Sequence, residues 1–490
     1  NIGLCCSGSD DVLSLNYYAP GKVYYEGLLK ALELLIPTIN NSHENQKQIM
    51  DEYLGHLDWI ENKEHPKIIF MGSYLSGIHE LDAYVPSGNL KEIIITHDEH
   101  GVNNNYCLLQ KLSKQKKHAA SYLIELDELL LPPIPKESVQ EWWIKLLNKQ
   151  SDCIIEQLTQ ATNYKRSNHF YFICYIKYNE ELLTFCVSCK NSRKKDYAPI
   201  TEAQISNWKI NIVKITQHTK EFLLPRSGGT LEFQNKSVLL VGCGSVGSFV
   251  ARQLVQTGIG ILTLSDTDVF KADNLYRHNL SILFHNHSKS NSLKLDLEYE
   301  YPYTKIEARI LELMKIPKEV LIEQDLIIIA VGNPTQERTF NEYLKKEGIS
   351  VNVIYTWLEG YGLGGHAIYV DSTMSNGCLQ CNYLDLNEEV PILHSNMNFL
   401  YPNQNVTKDL GGCGTLFLPY SHLDAEQTAL MTSRIAIDVL SNKLNGSIRI
   451  SWKGPPEDAT AKRLKLTHRY HKYTNLTYQE YKQGFCFVCS

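Results

Sequence analysis

The residues best suited to chemistry lie between Lys236 and Lys289. Gly242, Gly244 and Gly247 have the spacing G-x-G-x-x-G at the end of an apolar run, Ser237–Val241. Glycines so placed permit a tight turn and let backbone N–H groups approach a phosphate at a helix N-terminus. Asp266 ends a second apolar run, where a carboxylate can accept from a ribose hydroxyl. Asp268, Asn274, Arg277 and Lys289 follow. A dinucleotide site has no evident need for this further set. A triphosphate does, because cations offset charge on the phosphates and on the departing pyrophosphate. The glycine spacing alone equally suits a nicotinamide- or flavin-binding protein.

Two further groups are cysteines. Cys378-x-x-Cys381 and Cys486-x-x-Cys489 supply four thiolates, the number a closed tetrahedral zinc site needs; the alternative is four free thiols. Cys413 stands between glycines, in Gly411-Gly412-Cys413-Gly414. Those glycines let a loop swing, and a nearby helix N-terminus favours a thiolate. A small residue packed in a tight turn is the alternative. Cys243 lies inside the glycine turn and reads as packing.

These residues need a scaffold. Ser237–Val241 reads as a buried parallel strand, Phe249–Val255 as a helix and Gly260–Leu264 as a second strand. Further strands are expected over Asp325–Ala330 and Val351–Tyr355, and a helix over Asp424–Leu440. Gly360–Gly365 is a glycine-rich turn, suited to close passage of an extended peptide or to a plain hairpin. The class is α/β, with a central, mostly parallel sheet.

The whole chain sets the bounds. Its 490 residues allow about two to four domains. A net charge of −6 and a pI near 6.3 give no basic field for nucleic acid. No run is apolar and long enough to span a membrane, and no signal peptide is visible, so a cytoplasmic protein is expected. Thirteen cysteines, an odd number, favour reduced thiols or metal ligands over a disulfide framework. The sequence opens on Asn1 and reads as a fragment or a processed form.

Between residues 62 and 225, strands are expected at Lys67–Met71, Glu92–Thr96 and Phe170–Tyr178, and a helix at Gln140–Lys149. This is an α/β or α+β connecting domain with no recognisable chemistry. Cys186-x-x-Cys189 is a lone pair and reads as structural. Near the N-terminus, Cys5 and Cys6 precede Tyr18-Ala19-Pro20 and an amphipathic run, Tyr25–Leu35. On pattern alone this is a loop and an ordinary core helix.

From residue 226 onward the chain resembles the ubiquitin-activating and ThiF/MoeB adenylating family, whose pattern is G-x-G-x-x-G, then D-x-D, N-L-x-R and a lysine opening a helix. The resemblance implies a Rossmann-like domain that adenylates the C-terminal carboxylate of a protein with Mg-ATP. Gly242, Gly244, Gly247, Asp266, Asp268, Asn274, Arg277 and Lys289 would then bind nucleotide. Asn333 matches the family's Asp-Asn pair, but Gly332 stands in place of its magnesium-holding Asp. The resemblance also implies Cys413 as nucleophile, structural zinc on the two CxxC pairs, and a homodimer in which Arg226 reaches the partner's ATP.

Residues 1–61 resemble the catalytic half of a ubiquitin-conjugating domain, with Gly3-x-Cys5 and Tyr18-x-Pro20 carrying the likeness. Cys5, with Cys6 as runner-up, would accept a thioester and pass it to a target amine. The expected domains are therefore 1–61, 62–225 and 226–490. Together they resemble bacterial conjugating–activating fusions of antiphage CBASS operons, whose activated protein is a cyclic-nucleotide synthase or a ubiquitin-like modifier. A sulfur-carrier adenylyltransferase of cofactor biosynthesis and a NAD-binding Rossmann protein are the alternatives.

Overall fold

The structure, a computed structural model, describes residues 16–40, 42–60, 65–85, 92–97, 102–110, 117–133, 137–179, 181–384, 399–401, 404–408, 417–474, 477–479, 481–482, 484 and 486–489. Cys5, Cys6 and Cys413 lie outside the described residues. The chain divides into two compact units. One falls within residues 1–219; the other is Lys220–Ser490, which also takes in Gly101–Gln110.

The first unit is built on eight strands: β1 Lys67–Met71, β2 Ile78–Tyr84, β3 Glu92–Thr96, β4 Lys117–Glu125, β5 His169–Tyr178, β6 Glu181–Lys190, β7 Lys209–Val213 and β8 Ile215–Gln217. Their order is β7-β6-β5-β4-β2-β3-β1-β8, a mixed sheet in which β4–β5, β1–β3 and β1–β8 run parallel. Alternate residues feed opposite faces, as a pleat requires. Phe170, Phe172 and Cys174 pack in one core, and Tyr171, Ile173 and Tyr175 in the other. Cys186 and Cys189, three apart on β6, therefore fall in different cores and cannot share a metal. The helix Pro20–Asn40 carries the expected apolar stripe, but Leu28, Leu29, Leu32, Leu35 and Ile36 are exposed. Within the described residues it is not the ordinary core helix its pattern suggests.

The second unit holds β9 Ser237–Val241, β10 Ile261–Ser265, β11 Lys305–Arg309, β12 Leu326–Ile329, β13 Asn352–Leu358, β14 Gly364–Val370, β15 Ile448–Lys453 and β16 Thr477–Gln479. The order is β11-β10-β9-β12-β13-β14-β15-β16. The first five strands are parallel and the last three antiparallel. The central strands SVLLV and LIII are near-continuous apolar runs because helices cover both faces. Val238 and Leu240 face one core, Leu239 and Val241 the other. The chain runs outward from β9 to β10 on one side and returns to β12 on the other. That reversal opens a crevice at the carboxyl end of β9. Among the described residues, no helix is long and apolar enough to cross a membrane.

Candidate active site

The glycine turn sits in this crevice, and each glycine meets a different demand. Gly242 has φ +92°, and a Cβ there would lie 2.6 Å from the Ala330 carbonyl oxygen at the end of β12. A Cβ on Gly247 would fall 1.9 Å from the Gly242 oxygen, so only glycine lets the helix Ser245–Thr257 start so close to the strand. A Cβ on Gly244 would meet nothing within 4 Å. Gly244 is the N-cap of that helix and faces a cavity of about 430 Å³.

The cavity wall gathers Gly244, Asp268, Asn274, Arg277, Lys289 and Gly332. Lys289 opens the helix Lys289–Glu300, is 8% exposed, and holds Asp268 Oδ2 with its Nζ at 2.8 Å. Arg277 is half-buried, with its guanidinium 5.7 Å from the centre of the Tyr420 ring. No carboxylate pairs with it among the described residues. Tyr420 OH in turn meets Ser245 Oγ. Asp268 is the one carboxylate lining the cavity among the described residues, so two fixed cations outnumber one anion there. Such a site favours a polyanion.

The remaining predicted residues lie elsewhere. Asp266 is behind the turn, where its two oxygens accept from the N–H groups of Cys243 at 2.6 Å and Asp268 at 2.7 Å. Burial raises its carboxyl above the usual range. Asn333 caps the helix Pro334–Lys346, its Oδ1 accepting from Thr335 and Gln336. Arg226 ends the helix Lys220–Arg226, exposed, over the Phe222 ring.

Two residues missed in the sequence shape the wall. His278 Nε2 donates to the Cys243 carbonyl at 2.6 Å, while Nδ1 accepts from the Leu280 N–H at 3.1 Å. This pairing needs the neutral ring, and burial pushes its pKa down to about 4. Glu337 is fully buried, and its Oε1 accepts from the Gly332 N–H at 2.8 Å. Burial raises its carboxyl to about 7. The signal for His278 was its place directly after Arg277. Glu337 had none, because a helical glutamate ordinarily faces solvent.

Residues 220–415 match the profile of the ThiF family. That stretch belongs to the ThiF family. It is an adenylyltransferase-like enzyme domain, and its match begins at Lys220, where the second unit resumes. The chain is 21% identical over 240 residues to the ATP-dependent ubiquitin transferase-like protein Cap2 of Vibrio cholerae, covering 47% of this chain and 40% of that one. It is 41% identical over 76 residues to the adenylyltransferase and sulfurtransferase MOCS3 of Danio rerio, covering 15% and 17% respectively. The crystal structure of E. coli MccB with ATP aligns with a TM-score of 0.37 and 16% identity, over 56% of this chain and 70% of that one. The chain thus spans less than half the length of the Cap2 relative that it matches.

The second unit also carries the four-cysteine cluster. Cys378 caps the 3₁₀ turn Leu379–Tyr383, which bears Cys381, and the second pair comes from the tail. All four sulfurs lie within 4.8 Å of one another. Cys378 and Cys486 are 3.8 Å apart, Cys381 and Cys489 3.5 Å. Zinc–sulfur bonds of about 2.3 Å in a tetrahedron put sulfurs about 3.8 Å apart, so the set fits zinc. Hydrogen bonding among the thiols and burial raise Cys378 far above its ordinary value, a cost that a bound cation would remove.

A second cavity, of about 690 Å³, shares Tyr420 with the first and is lined by Tyr361, Gly362, Lys408, Phe417 and Asp424.

Proposed function

We propose that the ThiF-family domain uses ATP to adenylate the C-terminal carboxylate of a protein. The observation that supports this most is the pairing of Arg277 and Lys289 over an open Gly244 turn. The two cations hold the triphosphate and offset charge as pyrophosphate departs. Asn274 adds an amide at the wall. Asp268 is the carboxylate available to magnesium, which keeps several waters and tolerates a single protein ligand. The second cavity admits an extended tail, bringing its carboxylate to the α-phosphate past Tyr420. The four cysteines hold zinc, which clasps the tail of the chain and leaves no ligand position for catalysis.

In the fuller reading, Cys413 attacks the acyl-adenylate, forming a thioester and releasing AMP. Cys5 then accepts the acyl group and delivers it to a target amine. The similarity to Cap2 supports a ubiquitin-like transfer of this kind, with a ubiquitin-like modifier or a cyclic-nucleotide synthase as the activated protein. A homodimer in which the exposed Arg226 serves the partner's nucleotide belongs to the same reading.

The test is ATP–pyrophosphate exchange with candidate protein tails. Exchange that depends on a tail and drops at least about a hundredfold in Arg277→Ala supports adenylation. Binding of a nicotinamide without exchange refutes it. The similarity to MOCS3 favours a second reading, transfer of sulfur to the activated tail. A thiocarboxylate product without a reducible protein thioester would select it.

A further inference from the structure

The helix Pro334–Lys346 touches two sites. At its start, Gly332 has φ +71° and lines the nucleotide cavity, with its N–H held by Glu337 Oε1. Further along, the same helix grips the turn that carries Cys381. Arg338 Nε donates to Gln380 Oε1 at 2.8 Å, and its guanidinium lies 4.8 Å from the Tyr383 ring centre. One turn on, buried Asn341 accepts the Leu379 N–H at 3.1 Å. Asn341 is four residues on from Glu337 and three on from Arg338, so it shares a side of the helix with each.

Glu337, Tyr355 and Tyr383 lie between the two sites. Glu337 Oε2 and both tyrosine hydroxyls are buried with no hydrogen-bond partner among the described residues. Glu337 holds the Gly332 N–H from this helix, and Arg338 and Asn341 of the same helix hold the cysteine turn. The placement of Gly332 therefore depends on the helix, and the helix on the cysteine turn.

We propose that this helix couples the four-cysteine cluster to nucleotide binding, with Arg338 and Asn341 as positioning residues that fix the Gly332 wall. The inference rests on the reading of the cavity as an ATP site. Metal held by the cysteines sets the Leu379–Tyr383 turn, and the turn sets the helix. Such coupling is reciprocal: ATP must tighten metal binding by the factor by which metal tightens ATP binding. A metal that served only to stabilise the fold would show no dependence of that factor on Arg338 or Asn341.

The full chain is titrated with a fluorescent ATP analogue in zinc-loaded and chelator-stripped forms. Zinc affinity is measured by competition with a zinc-selective chelator, with and without saturating ATP. Stripping is expected to weaken ATP binding about tenfold, and ATP to tighten zinc binding by the same factor. In Arg338→Ala and Asn341→Ala, with zinc content unchanged, the loaded protein should bind ATP as weakly as the stripped parent. Equal ATP affinity in loaded and stripped parent overturns the coupling and leaves adenylation standing. ATP binding absent even from zinc-loaded protein removes both. If circular dichroism shows that stripping unfolds the chain, the loaded Arg338→Ala variant decides. An ATP affinity equal to the parent's then overturns the proposal.

Discussion

His278→Gln separates a titrating support of the glycine turn from a fixed one. In the parent, Nε2–H donates to the Cys243 carbonyl and Nδ1 accepts from Leu280. A protonated ring would set two N–H donors against each other at Nδ1. Burial accordingly depresses the pKa from 6.5 to about 4. The sign follows from linkage: the unfolded chain binds more protons than the native one between these values. The stability that neutral His278 contributes is present above pH 6.5 and is lost as pH falls through about 4. At about 1.4 kcal/mol per pH unit the full loss is about 3 kcal/mol. Glutamine cannot titrate, so the variant should be weaker than the parent at pH 7.5 yet lack this loss. Hydrogen exchange of a peptide spanning 242–248, corrected for intrinsic rates, reads the local opening free energy across pH 4 to 7.5. Parallel pH profiles for parent and variant would refute the reasoning.

Other expected outcomes probe the wall and the clasp. Gly247→Ala drives a Cβ into the Gly242 oxygen and should cost at least about 1–3 kcal/mol in chemical denaturation, whereas Gly244→Ala should fold normally and lose nucleotide affinity in a binding titration. Burial raises Glu337 from 4.5 to about 7, so its contribution is present below pH 4.5 and lost as pH rises through 7. Glu337→Gln should therefore be more stable than the parent at pH 8, by up to about 3 kcal/mol, with the difference fading toward pH 5 in paired melting curves. Metal analysis should find one zinc per chain, and Cys486→Ser should lower that content and the melting temperature together.

Much of the second unit was legible because its signals are local. Parallel strands buried on both faces read as apolar runs, so Ser237–Val241 matches β9 residue for residue. The glycine spacing located the turn because steric demand within a few residues sets it. The first unit was harder: its sheet mixes parallel and antiparallel pairs, and three expected strands stand among eight. The two kinds of CxxC show the limit of motif reading. On β6 the spacing sends the sulfurs to opposite faces, while around the Leu379–Tyr383 turn the same spacing brings them together. Asp266 and Asn333 were expected at the nucleotide. In the structure the side chain of each accepts from backbone N–H groups: Asp266 from Cys243 and Asp268 of the neighbouring motifs, and Asn333 from the first turn of the helix it caps.

With zinc bound, the four sulfurs would make the stretch from Cys381 to Cys486 a closed ring rather than an open length of chain. A protease cut inside that ring and before Ile448 would leave two pieces joined through the metal-bound cluster and through the pairing of β14 with β15. Such a nicked protein would migrate as one species under native conditions and part only when denaturant and chelator act together. Integrity judged on a native gel would then describe the metal as much as the polypeptide.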